Sequence, residues 1–302
     1  MNRLFAISLA LLIAPGIPFR ARSQGILPSP NVSLALSYSN AYPVIRISGP
    51  AGKAVVCQIQ SVDALGTGWS HRGMRIFTNS CVFTDSSLAV QARLYRGFVA
   101  TNCHLNVEGD SLSSPAPCIC PDPAGLPGWP ELIGNPAVIV TNHAVSGGGY
   151  CEWPTNKHVI SDAYDAQDAP WRPALTHAPC VMVFIGGHND LMRVGLDELV
   201  TTVSNLCAKA RDNGQIVVLG TVPASALLTG DNEFKRLAYN DWVMRQEVSD
   251  VRWDSAHVWP DDTSDAVYRY DGTHPTLYGR ILWARDLGAV LGIDLQVADP
   301  PS

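Results

Sequence analysis

The sequence predicts a three-layer α/β/α domain with a parallel sheet, preceded by a small antiparallel β-sandwich domain. Two patterns lead to this fold class. Before about residue 100, short segments alternate between apolar and polar residues with no helical period. Beyond that point, short runs of Val, Ile and Leu alternate with helical stretches, as in a parallel sheet covered by helices. The chain has 302 residues, 46% of them hydrophobic, which is enough for domains at residues 26–98 and 102–295.

The first domain is predicted from strand periodicity. From Val32 onward alternate residues share one face, and turn residues such as Gly49-Pro50-Ala51-Gly52 separate the short runs that follow. The predicted strands are Val32 to Tyr38, Val44 to Ser48, Ala54 to Ile59, Met74 to Phe77, Cys81 to Thr84 and Ala89 to Tyr95. An antiparallel sandwich is the arrangement that we expect from them.

The second domain is predicted from buried strands that alternate with helices. Apolar residues recur at three- and four-residue steps from Leu196 to Ala210, and Gly214 is well placed to end this helix. The predicted strands are Asn102 to Val107, Ala137 to Thr141, Val181 to Ile185 and Gln215 to Leu219. The predicted helices are Leu196 to Asn213, Asn232 to Glu247 and Thr276 to Leu291. Residues 114–130 and 151–179 are predicted to be irregular.

The N-terminal residues 1–23 have the pattern of a secretory signal peptide. Arg3 precedes the apolar run Leu4 to Ile13, and Ala21-Arg22-Ser23 has small residues three and one before a possible cut. The apolar run is too short to cross a bilayer of about 30 Å, so we expect cleavage and a secreted or periplasmic protein without a membrane anchor. Losing three arginines and no acid would change the formal charge from −6 to −9. So acidic a chain is not expected to bind nucleic acid or anionic membranes.

All eight cysteines follow that segment, and their even number is consistent with disulfides in an oxidising compartment. Zinc is the competing use. The spacing argues against it, because Cys118 and Cys120 are closer than usual zinc ligands and no second Cys or His pair follows at a finger-like distance. We predict one disulfide, between Cys57 and Cys81, because both residues fall in one small β-rich segment.

Functional residues of a parallel sheet collect where the strands end, because side chains and helix N-termini converge there. The strand ends and the segment before the last helix read Gly109-Asp110-Ser111, Val145-Ser146-Gly147-Gly148, Gly187-His188-Asn189-Asp190 and Asp271-Gly272-Thr273-His274. Together they contain a hydroxyl, a glycine amide, a carboxamide and an Asp/His pair. This is the set of groups that acyl transfer requires.

Each of these groups has a candidate role. Ser111 is the candidate nucleophile, and His274 is the candidate base because the ordinary pKa of an imidazole, about 6.5, lies near working pH. Asp271 can accept a hydrogen bond from the other ring nitrogen and so fix the tautomer. The oxyanion would be bound by the backbone N–H groups of Ser111 and Gly147 and by the side-chain amide of Asn189.

These segments resemble the four motif blocks of the SGNH hydrolase superfamily, also called GDSL esterases and lipases. The blocks supply Ser, Gly, Asn and His in that order, here at Ser111, Gly147, Asn189 and His274. Residues 128–132, Gly-Trp-Pro-Glu-Leu, resemble the first helix after the nucleophile. The resemblance covers about residues 102 to 292. It implies a flavodoxin-like fold and carboxylester hydrolysis without metal or cofactor.

The sequence departs from the family pattern in two places. The serine block usually lies near the mature N-terminus, whereas about 85 residues precede it here. This layout resembles several secreted carbohydrate esterases in which a β-sandwich stands before the catalytic domain. The Cys- and Pro-rich segment Pro115 to Pro127 also replaces a short connection, so the entrance to the site is not predicted.

Ser146 is the alternative nucleophile. The stretch Ala144-Val145-Ser146-Gly147-Gly148 follows a predicted strand and approximates the nucleophile elbow of α/β-hydrolases. That elbow must run into a helix, and the glycines here, followed by Pro154, are poor helix formers. Asp110, beside Ser111, is expected to cap the backbone that follows it. His188 either lines the pocket or is a packed imidazole.

The sequence therefore predicts a secreted serine esterase that removes acetyl or similar short acyl groups from polysaccharide or oligosaccharide. Trp129, Trp153 and Trp171 lie in or near the irregular loops, where they could stack on sugar rings or cover the edge of a core. Among enzymes, the alternative is a lipase, thioesterase or arylesterase of the same superfamily. The alternative outside enzymes is a non-catalytic carbohydrate-binding surface protein in which the β domain acts.

Overall fold

The computed structural model describes residues 5–7, 33–39, 42–48, 54–62, 70–78, 80–84, 94–100, 103–115, 127–156, 158–165, 180–213 and 215–299. The chain forms two compact units, one mostly of residues 1–103 and the other mostly of residues 104–302. Within the described residues, every helix is too short or too polar to span a membrane.

The N-terminal unit contains two antiparallel sheets. Its described strands are β1 (Phe5–Ile7), β2 (Ser33–Ser39), β3 (Tyr42–Ser48), β4 (Ala54–Val62), β5 (Ser70–Thr78), β6 (Ser80–Thr84) and β7 (Leu94–Ala100). One sheet has the order β1-β7-β4-β5 and the other the order β2-β3-β6. All their registers are antiparallel, as the strand periodicity predicts. Strand β1 lies within the segment that the sequence predicts to be a signal peptide.

Alternating burial produces the core of this unit. Ile45 and Ile47 of β3 are buried while Arg46 between them is exposed, which is the period of two that a half-buried strand requires. The two sheets meet where Phe83 of β6 packs on Gly73 of β5, since a Cβ at position 73 would lie 2.6 Å from the Phe83 ring. Of the last predicted strand, Ala89 to Tyr95, only Leu94 and Tyr95 are among the described residues, and both belong to β7.

The predicted disulfide between Cys57 and Cys81 is wrong. The structure forms no disulfide among the six cysteines it describes, and Cys118 and Cys120 lie outside the described residues. Cys57 belongs to β4 and Cys81 to β6, which lie in different sheets of this unit. The two thiols do interact, because burial and then the nearby Cys81 raise the pKa of Cys57.

The second unit is built on a five-stranded sheet. Its strands are β8 (Cys103–Gly109), β9 (Val138–Asn142), β10 (Cys180–Ile185), β11 (Ile216–Gly220) and β12 (Val251–Trp253). The spatial order is β9-β8-β10-β11-β12, with β8, β10, β11 and β12 in parallel register. Counted along this unit, the order is 2-1-3-4-5, which is the flavodoxin-like order. The predicted fold class is therefore confirmed.

Helices cover both faces of this sheet. They are α1 (Ile160–Asp165), α2 (His188–Leu191), α3 (Leu196–Asp212), α4 (Asp231–Arg245) and α5 (Leu277–Leu291). On one face, Met182 and Phe184 of β10 pack with Val203 of α3 and Tyr239 of α4 in a continuous buried cluster. On the other face, Trp283 of α5 packs edge-on against Trp253 of β12, with the ring centroids 5.8 Å apart.

Three elements differ from the prediction. Strand β12 was not predicted, because it has only three residues and its middle residue, Arg252, is exposed. Helix α1 lies within the loop predicted to be irregular, where six residues give little periodicity to detect. The segment that resembles the first helix after the nucleophile contains a single 3-10 turn at Pro130–Leu132, which has Pro at its start.

Candidate active site

Ser111 lies in a tight turn directly after β8. The carbonyl of Asp110 accepts the N–H groups of Ser113 and Ser114 at 3.1 and 3.0 Å, and its side-chain Oδ1 accepts the N–H of Leu112 at 3.0 Å. Asp110 thus has the capping contact that its position predicts. The last residue of β8, Gly109, leaves room for β10, because a Cβ at this position would collide with the Ile185 carbonyl oxygen. The first and third strands therefore approach closely beneath Ser111.

Asp271 and His274 lie on a short hairpin that precedes α5. The Tyr270 N–H donates to the His274 carbonyl at 3.1 Å, and the Thr276 N–H donates to the Tyr268 carbonyl at 2.9 Å. Gly272, at the tip, has φ +78°, in the left-handed region that favours glycine. Its carbonyl accepts the N–H of Ala226 at 3.0 Å, which attaches the tip to the loop after β11. We call residues 268–276 the catalytic hairpin.

The hairpin places His274 between Ser111 and Asp271. His274 Nε2 lies 3.0 Å from Ser111 Oγ, and Nδ1 lies 2.7 Å from Asp271 Oδ2. The other carboxylate oxygen of Asp271 accepts the backbone N–H groups of Thr273 and His274 at 3.0 and 2.7 Å. These two bonds hold the carboxylate in place, so Nδ1 of His274 is the protonated nitrogen and Nε2 faces the hydroxyl.

The candidate oxyanion donors lie at the same edge of the sheet. Gly147, with φ +80°, is the third residue of a turn closed by the bond from the Gly148 N–H to the Val145 carbonyl at 2.9 Å. The Val145 N–H in turn donates to the Gly109 carbonyl at 3.1 Å. Asn189, in α2 after β10, donates from Nδ2 to the Gly148 carbonyl at 2.9 Å. This bond uses one of the two N–H groups of the amide.

The site occupies the position where doubly wound sheets bind ligands. Ser111 follows the first strand of the sheet and Asn189 follows the third, and the strand order reverses between these two strands. The structure therefore brings Ser111, His274 and Asp271 into one hydrogen-bonded row, with the Gly147 turn and Asn189 beside the same strand ends. Among the described residues, no group of three or more His, Cys, Asp or Glu side chains could hold a metal ion.

Several solved structures are similar to this chain. TesA shares 21% identity, with coverage of 62% of this chain and 97% of its own and a TM-score of 0.46. A catalytic mutant of Axe2, an acetylxylan esterase from Geobacillus stearothermophilus, shares 15% identity, with coverage of 65% and 97% and a TM-score of 0.47. A family two carbohydrate esterase from Clostridium thermocellum, in complex with cellohexaose, shares 15% identity, with coverage of 86% and 94% and a TM-score of 0.43. No protein-family model and no curated protein matches the sequence.

The geometry separates the two candidate nucleophiles. Ser146 lies in a turn and is followed by three glycines. Among the described residues no helix follows directly, and the next one, α1, begins only at Ile160. An α/β-hydrolase elbow requires a helix directly after the serine. The imidazole of His274 contacts the hydroxyl of Ser111.

Of the three tryptophans singled out in the sequence, Trp129 covers a core and is not open to a sugar ring. Trp129 is fully buried, donates from Nε1 to Ser113 Oγ at 2.8 Å, and packs edge-on against Trp253 at 5.7 Å between ring centroids. It therefore supports the turn that carries Ser111. Trp153 is half-buried against the core cluster, and Trp171 lies outside the described residues.

Several supporting residues had no distinctive sequence signal. Tyr270 stacks on the ring of His274, with centroids 5.9 Å apart and an interplanar angle of 17°. Arg269, buried in the hairpin, donates to the carbonyls of Pro260 and Asp262 at 2.9 and 3.2 Å. Both residues immediately precede Asp271, and they become recognisable as supports only when the hairpin is folded.

Two buried carboxyl groups lie beneath the site. Burial raises the pKa of Asp110 to about 7, against the lowering effect of the Leu112 N–H and with a smaller raising effect of the nearby Asp190. Burial raises the pKa of Asp190 to about 6, against the lowering effect of the N–H groups of Cys151 and Tyr150. Asp190 binds those two N–H groups at 2.8 and 3.1 Å and so holds the segment that follows the Gly147 turn.

Asp110→Asn should remove part of the pH dependence of stability. The folded pKa of Asp110, about 7, lies above its ordinary value, so its contribution to stability is present below about pH 4 and is lost as pH rises through about 7. The free energy of unfolding of the wild type, measured relative to Asp110→Asn, should fall by about 2 to 4 kcal/mol between pH 4 and pH 8. Urea unfolding at pH 4, 6 and 8 would measure it.

The control for this experiment is Asp162→Asn, which removes an exposed carboxylate of α1. Because this carboxylate is exposed, its removal should change stability far less than the removal of the buried Asp110 carboxyl at every pH. A difference between Asp110→Asn and the wild type that stays constant with pH would show that Asp110 does not retain its proton in the folded protein.

Proposed function

We propose that this protein is a serine carboxylesterase of the SGNH hydrolase type, in which Ser111, His274 and Asp271 are catalytic. One observation carries the proposal: a hydroxyl, an imidazole and a carboxylate form one row with contacts of 3.0 and 2.7 Å at the switch point of a flavodoxin-like sheet. The four motif blocks occur in the family's order, and each lies at a strand end or before the last helix. The observed contacts support the roles that the resemblance implies.

The proposed reaction proceeds through an acyl-enzyme. Ser111 Oγ attacks the ester carbonyl carbon while Nε2 of His274 takes the hydroxyl proton. The tetrahedral oxyanion is bound by N–H donors of Ser111, Gly147 and Asn189. When the intermediate collapses, the C–O bond to the alcohol breaks and His274 returns the proton to that alcohol. Water then repeats the sequence on the acyl-enzyme and releases the carboxylic acid.

Asn189→Ala should lower kcat by a factor on the order of 10² to 10³, because it removes one oxyanion donor. KM should change little, since the donor binds charge that develops only in the transition state. The contact to the Gly148 carbonyl, 2.9 Å, is lost as well, so thermal unfolding should be measured beside steady-state kinetics. A kcat loss below about tenfold would remove Asn189 from the oxyanion hole.

For the substrate, we propose acetyl or similar short acyl esters on polysaccharide or oligosaccharide. The support is the layout, in which an antiparallel two-sheet unit precedes the unit that carries Ser111. The tryptophan argument is weaker than the sequence indicated, because Trp129 is buried in the core. The test is acetate release from a panel of acetylated polysaccharides, with Ser111→Ala as the blank. If no polysaccharide loses acetate faster than in the blank, the carbohydrate proposal fails.

A second candidate substrate is an ester with a longer acyl chain. Two apolar side chains near the catalytic hairpin are exposed: Leu227, which follows the residue bonded to Gly272, and Val267, which precedes the hairpin. Exposed apolar groups beside a site can bind an acyl chain. Hydrolysis of p-nitrophenyl esters from C2 to C12 separates the candidates, because preference for C8 or longer over acetate would favour a lipase or thioesterase.

We also propose that the protein is exported and that residues 1–23 are removed. The support is the sequence of these residues, with Arg3 before an apolar run too short to cross a bilayer. N-terminal sequencing of the protein recovered outside the cytoplasm would test this. Recovery with Met1 still present would contradict it.

A further inference from the structure

A chain of three buried polar side chains lies behind the catalytic hairpin. His188 Nε2 lies 2.8 Å from Ser225 Oγ, and Ser225 Oγ lies 2.8 Å from Thr273 Oγ1. Their residue exposures are 4%, 5% and 3%, so water does not readily replace either contact. We call these three residues the relay.

The relay connects three loops at the carboxyl edge of the sheet. His188 begins α2 after β10, Ser225 lies in the loop after β11, and Thr273 lies within the catalytic hairpin. Each end of the relay is next to a proposed catalytic group in sequence. His188 precedes Asn189, and Thr273 precedes His274 and donates its backbone N–H to Asp271 at 3.0 Å.

The hydrogen-bonding capacity of Ser225 is fully used. Its oxygen accepts the Leu227 N–H at 3.1 Å, which leaves one lone pair and one proton for His188 and Thr273. The hydroxyl therefore donates to one of these partners and accepts from the other. Burial lowers the pKa of His188 to about 4, so its imidazole is neutral near pH 7. Depending on the tautomer, Nε2 of this neutral ring can donate to Ser225 Oγ or accept from it.

Few bonds hold the hairpin against the rest of the sheet. Its cross-strand bonds join Tyr270 to His274 and Thr276 to Tyr268, Arg269 binds carbonyls only seven and nine positions away, and its tip is attached to Ala226 through one backbone bond. The contact between Ser111 and His274 joins residues 163 positions apart, so its length depends on how the hairpin is seated. A shift of about 1 Å in a catalytic group can cost on the order of 10²-fold in rate.

We propose that His188, Ser225 and Thr273 are positioning residues for ester hydrolysis, which set the distance between His274 and Ser111 by seating the catalytic hairpin against α2 and the loop after β11. This inference rests on the proposed function. It assigns no chemical step to the relay, because none of its side chains contacts the hydroxyl of Ser111 among the described contacts.

Thr273→Val and Ser225→Ala test the relay, since each removes one hydroxyl with little change of shape. Each should lower kcat by about 10- to 100-fold with KM within about threefold of the wild type. The double variant should be no slower than the slower single variant, because either change interrupts the same chain. Thr273→Ser, which keeps the hydroxyl, should restore kcat to within about threefold of the wild type.

Ser249→Ala is the matched control. Ser249 is also buried, and its Oγ accepts a side-chain hydrogen bond from Gln246 at 2.7 Å. It lies just before β12, at the amino ends of the parallel strands, whereas the relay lies at their carboxyl ends. It should lower the thermal midpoint without lowering kcat. The proposal is overturned if Thr273→Val keeps kcat within about twofold of the wild type, if Thr273→Ser is as slow as Thr273→Val, or if Ser249→Ala is slowed equally.

A spectroscopic measurement separates this inference from the proposed function. The proton that His274 Nδ1 shares with Asp271, across 2.7 Å, should give a far-downfield proton NMR signal that is lost in His274→Gln. This signal should shift or broaden in Thr273→Val and return in Thr273→Ser. If the wild type hydrolyses no ester faster than Ser111→Ala, the proposed function fails, and an unchanged signal in Thr273→Val would overturn the relay independently.

Discussion

Ser111→Ala should lower kcat by a factor on the order of 10⁴ to 10⁶, with little change in KM for a soluble ester. The substitution removes the atom that lies 3.0 Å from His274 Nε2, so the acyl-enzyme cannot form. His274→Ala should cost nearly as much, and Ser111→Ala/His274→Ala should be no slower than Ser111→Ala, because the two groups act as one unit. Steady-state hydrolysis of p-nitrophenyl acetate measures all three variants.

Ser146→Ala provides the comparison. It removes the alternative hydroxyl, which lies in a turn and lacks the helix of a nucleophile elbow. It should keep kcat within about tenfold of the wild type. A fluorophosphonate should label Ser111 in the wild type, as read from a peptide digest by mass spectrometry. A label on Ser146, or unchanged turnover by Ser111→Ala, would refute the proposed nucleophile.

Asp271→Asn should lower kcat by a factor on the order of 10⁴ while leaving the hairpin folded. The amide oxygen can still accept the N–H groups of Thr273 and His274, which Oδ1 accepts at 3.0 and 2.7 Å. Its NH₂ group would then face His274 Nδ1 and favour the tautomer whose proton is on Nε2. That nitrogen could no longer take the proton of Ser111.

Asp265→Asn is the control for this substitution. Asp265 Oδ1 also accepts a backbone N–H, that of Val267 at 2.9 Å, and the residue is half-buried, but its described bonds do not reach His274. We expect near wild-type kinetics for it and an unchanged thermal midpoint for both variants. If Asp271→Asn kept more than about a tenth of wild-type kcat, Asp271 would not orient the imidazole.

The fold could be predicted where local periodicity and final burial agree. Helix α3 carries apolar residues every three or four positions, and it is observed at Leu196–Asp212, close to the predicted range. Strands β10 and β11 are completely buried, so their apolar runs were visible in the sequence. Strand β12 has three residues, and its position depends on pairing with β11 rather than on a pattern of its own.

The catalytic groups could be predicted because their chemistry requires particular residue types at strand ends. The contacts that hold them could not, because they are made between distant segments. Thr273 and Ser225 are separated by 48 positions and meet through hydroxyl groups that have many alternative partners in an unfolded chain. Cys57 and Cys81 show the same limit, because the two thiols interact across the unit, as their shared β-rich segment suggests, and yet no disulfide joins them.

The buried tryptophans of the second unit have a practical consequence. Trp259 and Trp283 stack with centroids 4.2 Å apart, Trp129 and Trp253 pack around Trp283, and the Trp129 ring nitrogen binds the turn of Ser111. Indole fluorescence shifts to longer wavelength when water reaches the ring. The emission spectrum of the unlabelled protein should therefore report loosening beneath the nucleophile before the whole unit denatures.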